Sequence, residues 1–209
     1  MSKHKTGREQ ETSIESRHIE RVLPYKSFLF FSLVGSSILF ISLVFLYILW
    51  LTKHPDLAHF NMPKPFIIST IVILVSSYTI TLAQRAFRND DNNKLLLAFV
   101  LTLALTLLFA SFQIMGWVEL YERGNLINGP GSISFLCIIS GIHFLHLGVA
   151  ILWQFYLSIR AFDVWNDPVK SLLYFSNKFE GTRIDLFATF WHYLDILWLS
   201  LFLTFLFTI

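Results

Sequence analysis

Five stretches of this chain run for about 20 residues or more with almost no Asp, Glu, Lys or Arg: Ser27 to Thr52, Pro65 to Gln84, Leu95 to Val118, Ile133 to Ile159 and Leu186 to Ile209. That is the length an α-helix needs to cross the hydrocarbon layer, where every backbone N–H and C=O must be satisfied inside the segment itself. With 55% hydrophobic residues and 22 phenylalanines in 209, the chain is too apolar to hide its side chains in one soluble core. The alternating ten-residue pattern of a membrane barrel is absent. The expectation is an all-α integral membrane protein, a bundle of five transmembrane helices (residues 27–209) behind a polar N-terminal arm (residues 1–26).

The basic residues give an orientation. Lys3, Lys5, Arg8, Arg17, Arg21 and Lys26 precede the first span; Arg85, Arg88 and Lys94 follow the second; Arg160, Lys170, Lys178 and Arg183 follow the fourth. Only Lys53, Lys64 and Arg123 fall in the other loops. This alternation predicts the N-terminus inside and the C-terminus outside. The basic residues are thus accounted for by topology, and no nucleic-acid partner is expected. The polar first 26 residues do not read as a cleavable signal peptide. The single Cys137 lies within a span, so no disulfide framework is expected.

Between the spans, residues 9–22 read as a short surface helix or a disordered arm. His54 and His59, in a proline-rich external loop, could hold a metal, although solvated loop histidines are the plainer reading. Gly35-Ser36-Ser37 in the first span would let another helix approach closely. The hydroxyls of the second span, Ser69, Thr70, Ser76, Ser77 and Thr79, read as packing groups. Asn89 to Asn93 is a tight polar turn that makes the second and third spans antiparallel neighbours. Trp117 and Tyr121 stand where an aromatic belt would sit. Asn128-Gly129-Pro130-Gly131 reads as an external turn. Ala161 to Thr182 is the longest loop, within which Asp167-Pro168 starts a short helix over Val169 to Asn177.

The polar groups inside the spans are few. Asp195 lies in the run Trp191-His192-Tyr193-Leu194-Asp195-Ile196-Leu197-Trp198, three residues after His192 and on the same helix face. A carboxyl group there costs on the order of 2.5 to 3.5 kcal/mol on insertion scales, so it should face protein, water or a partner. His143 and His146 share a face of the fourth span. They read either as haem or metal ligands, with His192, or as core histidines that tie helices together or meet lipid headgroups. At 1.5 Å per residue His146 lies roughly 21 Å from Arg160, and Asp195 roughly 18 Å from Arg183. A His146–Asp195 hydrogen bond near mid-membrane is therefore expected.

Together these residues resemble subunit III of the haem-copper respiratory oxidases. Trp191-His192-Tyr193-Leu194-Asp195-Ile196-Leu197-Trp198-Leu199 is similar to the family's W-H-[FY]-x-D-x-x-W-[LI], and Gly141-Ile142-His143-Phe144-Leu145-His146-Leu147-Gly148 to its G-x-H-x-x-H-[VL] helix. Ser76 to Thr79, Gln113 with Trp117, and Arg160 add weaker support, and the likeness runs from about Phe28 to the C-terminus. It resembles the shorter, five-span form.

The resemblance implies an accessory subunit with no catalytic, cofactor or metal site of its own. Haem and copper would lie in partner subunits. The chain would stand directly against subunit I, with subunit II and other subunits nearby, within an oxidase that transfers electrons from cytochrome c to oxygen and pumps protons. It would hold phospholipid and support proton uptake, and the complex could join a larger respiratory assembly. The bacterial cytoplasmic membrane is expected rather than the mitochondrial inner membrane. A quinol oxidase or a nitric-oxide-reductase-associated homologue is the alternative; further off are a stand-alone haem protein and a transporter using Asp195. The residues expected to be structural, or to face lipid or partner, are His143, His146, Asp185, Trp191, His192 and Asp195. The chain departs from the family by carrying Ser37 and Gly116 where carboxylates are common, and by a longer stretch between Arg160 and Asp185.

Overall fold

The computed structural model describes residues 3–54, 62–122 and 131–208, with side chains from residue 24 onward. His59 and the turn at Asn128, Gly129 and Pro130 lie outside the described residues. Among those described, the elements are six helices: α1 (Lys3–Lys53), α2 (Lys64–Arg88), α3 (Asn92–Glu122), α4 (Gly131–Asp163), α5 (Pro168–Ser176) and α6 (Lys178–Thr208). All but α5 contain a stretch long and apolar enough to cross a membrane, that of α1 beginning at Pro24. The backbone of residues 9–22 is helical and continuous with the first span.

Local chemistry sets the boundaries. Pro63 and Pro65 supply fixed φ angles at the start of α2. The turn into α3 passes through Asp90 in the left-handed region (φ 53°), and Asp91 then accepts the Lys94 amide proton at 3.0 Å. Asp167 caps α5 by accepting from the amides of Val169 (3.0 Å) and Lys170 (3.2 Å), with Pro168 in the first turn. The segment expected to be the longest loop is therefore mostly helical: α4 persists to Asp163, and α6 begins at Lys178, eight residues before the apolar stretch.

Helices α2, α3, α4 and α6 close a ring in which each packs on the next, the antiparallel α2–α3 pair most extensively. Phe99, Phe109, Trp191 and Phe187 fill its interior. Helix α1 stands outside this ring, against α4 and α6; only 6% of its apolar window is buried. Gly35, Gly141 and Gly148 meet no neighbour within 4 Å of a Cβ position, so none of them mediates helix packing within this chain. Gly116 does: a Cβ there would lie 2.7 Å from the Phe66 ring.

Candidate functional site

The run Trp191 to Trp198 on α6 lies along α2. Trp191 Nε1 donates to Ser76 Oγ (3.3 Å) and Trp198 Nε1 to Thr70 Oγ1 (3.0 Å). His192 Nδ1 shares a hydrogen with Ser77 Oγ at 2.8 Å. At the end of α2 where it turns toward α3, Gln84 Nε2 donates to Asp185 Oδ1 (2.8 Å), which also meets Arg88 Nη2 at 3.4 Å.

One device recurs. Ser76 gives its own hydrogen to the Ile73 carbonyl (2.7 Å) and Thr70 gives its to Phe66 (2.8 Å), leaving each oxygen as an acceptor. Tryptophan has only a donor to offer, so the two fit without a leftover group. The same arrangement joins α3 to α2 through Gln113 and Ser69 (2.9 Å) and to α4 through Trp117 and Ser140 (3.1 Å). Trp117 therefore points inward, whereas Tyr121 is exposed.

The two histidines of α4 diverge. His146 Nδ1 lies 2.9 Å from the Ile142 carbonyl, so that nitrogen carries the hydrogen, and Nε2 accepts from Ser36 of α1 at 3.1 Å. His143 is 1% exposed. Its ring lies 5.2 Å from that of Trp198 and edge-on to Phe109, with neither nitrogen hydrogen-bonded among the described residues. His192 faces α2. The three histidines thus serve three different helix contacts, and the structure does not bring them to one centre. Among the described residues no three His, Cys, Asp or Glu gather as a metal site. His54 stacks on Trp50 with ring centroids 5.0 Å apart.

The expected His146–Asp195 hydrogen bond does not form. Both nitrogens of His146 are already engaged, Nδ1 by Ile142 of its own helix and Nε2 by Ser36 of α1, while Asp195 lies with His192 on the α2 side of α6, and Tyr193 is the residue that reaches α1, through Ser37 (3.2 Å). Depth matches; azimuth does not. Asp195 is 3% exposed, its Oδ2 is 4.0 Å from His192 Nδ1, and neither carboxyl oxygen has a hydrogen bond among the described residues.

The sequence reading missed Glu180. This side chain, 3% exposed, receives Arg160 Nη2 at 2.9 Å and Arg183 Nη1 at 3.1 Å on the same oxygen. Arg183 also bonds Tyr156 OH (3.1 Å) and lies over the Phe179 ring at 4.3 Å. Burial, with the Glu180 charge, pushes the nearby Tyr174 phenol above its usual range. The Glu180–Arg183 spacing of three was the available signal.

This is a polytopic helical-bundle protein whose polar groups cross-link its helices. The sequence profile described as cytochrome c oxidase subunit III matches residues 27–208, and the chain belongs to that family. Relatives include proteins described as probable quinol oxidase subunit 3. That of Staphylococcus saprophyticus is 28% identical over 144 residues, covering 68% of this chain and 66% of the relative. That of Staphylococcus epidermidis is 28% identical over 141 residues (65% and 63%), and that of Staphylococcus aureus USA300 is 28% identical over 148 residues (68% and 66%). The matched region thus spans just under two thirds of these relatives' length.

Proposed function

We propose that this chain is the accessory subunit III of a haem-copper terminal oxidase that takes electrons from quinol, and that it makes or breaks no bond itself. The observation that carries this reading is the family match over residues 27–208, together with an α6 motif whose indoles and imidazole are committed to α2 hydroxyls. The relatives' descriptions favour quinol as donor. Cytochrome c, the donor first expected, is the second reading, and a copper-binding subunit II in the complex would favour it.

In this reading haem and copper belong to partner subunits, and subunit I is the direct neighbour. The chain lies in a bacterial cytoplasmic membrane with its N-terminus inside, as its basic residues suggest. It stabilises subunit I, helps proton uptake into that subunit and binds phospholipid. Supporting the last point is a groove of about 530 Å³ between α1, α4 and α6. Its walls are apolar and aromatic, including Phe28, Trp153 and Phe190, with Arg183 at one end.

The test is to purify the chain from its native membrane through a mild C-terminal tag, record the visible spectrum and identify the co-purifying polypeptides. Haem bands with a much larger, histidine-rich membrane subunit are expected. A colourless protein without such a partner would overturn the reading.

A further inference from the structure

Helix α5 has two unlike sides. Tyr174 and Phe175 pack on the Phe87 ring of α2, with ring centroids 5.6 and 5.3 Å away, and Tyr174 is buried. On the other side Val169, Leu172 and Leu173 share a face by their helical spacing and point away from the bundle. Leu172 is 71% exposed, the same as Leu145 on the outer face of α4. Ser176 closes this side at the helix end. Lys170 flanks it, with its ammonium group 3.9 Å from the Asp167 carboxylate. An apolar face of this kind, left in water, marks a contact still to be made.

What borders the face follows from its level in the bundle. Phe87 stands between Arg85 and Arg88 at the end of α2, and its ring abuts Gly181 of α6, which lies between Glu180 and Arg183. Helix α5 thus meets the bundle where the spans begin to carry charge, the level that marks the boundary between hydrocarbon and headgroups. Short connections hold it there, since α4 ends at Asp163 and α6 starts at Lys178. Trp165, just before α5, donates its Nε1 hydrogen to Asn93 at the start of α3 (2.6 Å). The outer stripe of α4, Leu145, Val149, Leu152, Phe155, Ile159 and Phe162, runs down to this same level with apolar side chains exposed throughout. Its last ring, that of Phe162, lies 6.1 Å from Trp165. The medium that covers the outer face of α4 therefore reaches α5.

We infer that α5 is an interfacial helix that inserts Val169, Leu172 and Leu173 into the bilayer leaflet at this end of the bundle, with Lys170 and Lys178 among the lipid headgroups. Helices of this kind settle about 5–10 Å into the boundary between headgroups and acyl chains. The partner is the membrane surface itself, distinct from a lipid held in the groove between α1, α4 and α6. The inference stands on the spans and α5 alone, and holds whichever electron donor the oxidase uses.

The test places the photoreactive residue benzoylphenylalanine at Leu172 in the full chain in native membranes, with Leu152 of α4 and Lys170 of α5 as reference positions, and identifies the adducts by mass spectrometry. Position 172 should give phospholipid adducts at a yield within about threefold of that at 152, because both positions meet acyl chains. Position 170 should give about tenfold fewer, since a lysine on the flank of such a helix keeps its end among headgroups and water. Leu173, on the same face, carries the probe in a second variant, so that the reading does not depend on one substitution. Adducts from 172 and 173 to another polypeptide, or lipid yields no higher than at 170, would overturn the inference.

Discussion

Trp191 Nε1 meets the Ser76 oxygen at 3.3 Å, and Ser76 in turn donates to the Ile73 carbonyl at 2.7 Å. The pair joins the two helices at the centre of the bundle with every hydrogen assigned. Ser76→Ala would leave a fully buried indole N–H without an acceptor, a loss of about 1–3 kcal/mol. Thermal unfolding in detergent should show it, and Trp191→Phe made on top of Ser76→Ala should add less than it does alone.

Gly116 stands at a position where the resemblance to subunit III leads one to expect a carboxylate. The Phe66 ring occupies the space a side chain would need, 2.7 Å from a Cβ position, and Phe66 is itself packed on Trp198. Gly116→Ala should destabilise by about 1–3 kcal/mol through overpacking. Adding Phe66→Leu should recover most of that loss in the same melting assay.

At the Arg160, Glu180 and Arg183 cluster, two guanidinium groups depend on one carboxylate oxygen. Glu180→Gln should cost roughly 2 kcal/mol, the scale of hydrogen bonds to charged groups. Arg160→Met should cost less, because Arg183 still neutralises the buried Glu180. Denaturation of the two variants side by side checks the order.

His146 and Asp195 belong to separate contacts, so His146→Leu and Asp195→Asn should be additive to within about 0.5 kcal/mol. His146→Leu with Ser36→Ala should instead be clearly non-additive, since either change removes the same bond to α1. A double-mutant cycle distinguishes the two pairs.

The cap on α3 carries a pH dependence. Lys94, through its ammonium group first and its backbone amide second, holds the Asp91 carboxyl below the usual carboxylate range. A depressed native value means the stabilisation is present above the unfolded-state pKa and is lost as pH falls through the native one. Hydrogen exchange at the Lys94 amide should therefore show reduced protection at acid pH, and Asp91→Asn should abolish that dependence.

The spans, the α2–α3 turn and the Asp167-Pro168 helix start were legible because each rests on local chemistry: hydropathy, turn residues, a cap. The pairing of polar groups was harder to read. Sequence depth placed His146 and Asp195 at one level but carried no information about which neighbour each face of a helix would meet. The start of α6 was hidden because Lys178, Glu180 and Arg183 break the apolar pattern while lying in one continuous helix. The hydroxyls of α2 were visible as packing groups. Their role as acceptors for Trp191 and Trp198 depends on which helix stands opposite, which only the three-dimensional arrangement supplies.

The ring of α2, α3, α4 and α6 closes without help from α1, whose side chains make few internal contacts. In order of synthesis this inverts the usual relation between early and settled. Of the described spans, α1 precedes the others in the chain yet has the least to hold it until they have come together, and its final place can be fixed as late as assembly with another polypeptide. Maturation of such a subunit is then a matter of docking as much as of folding.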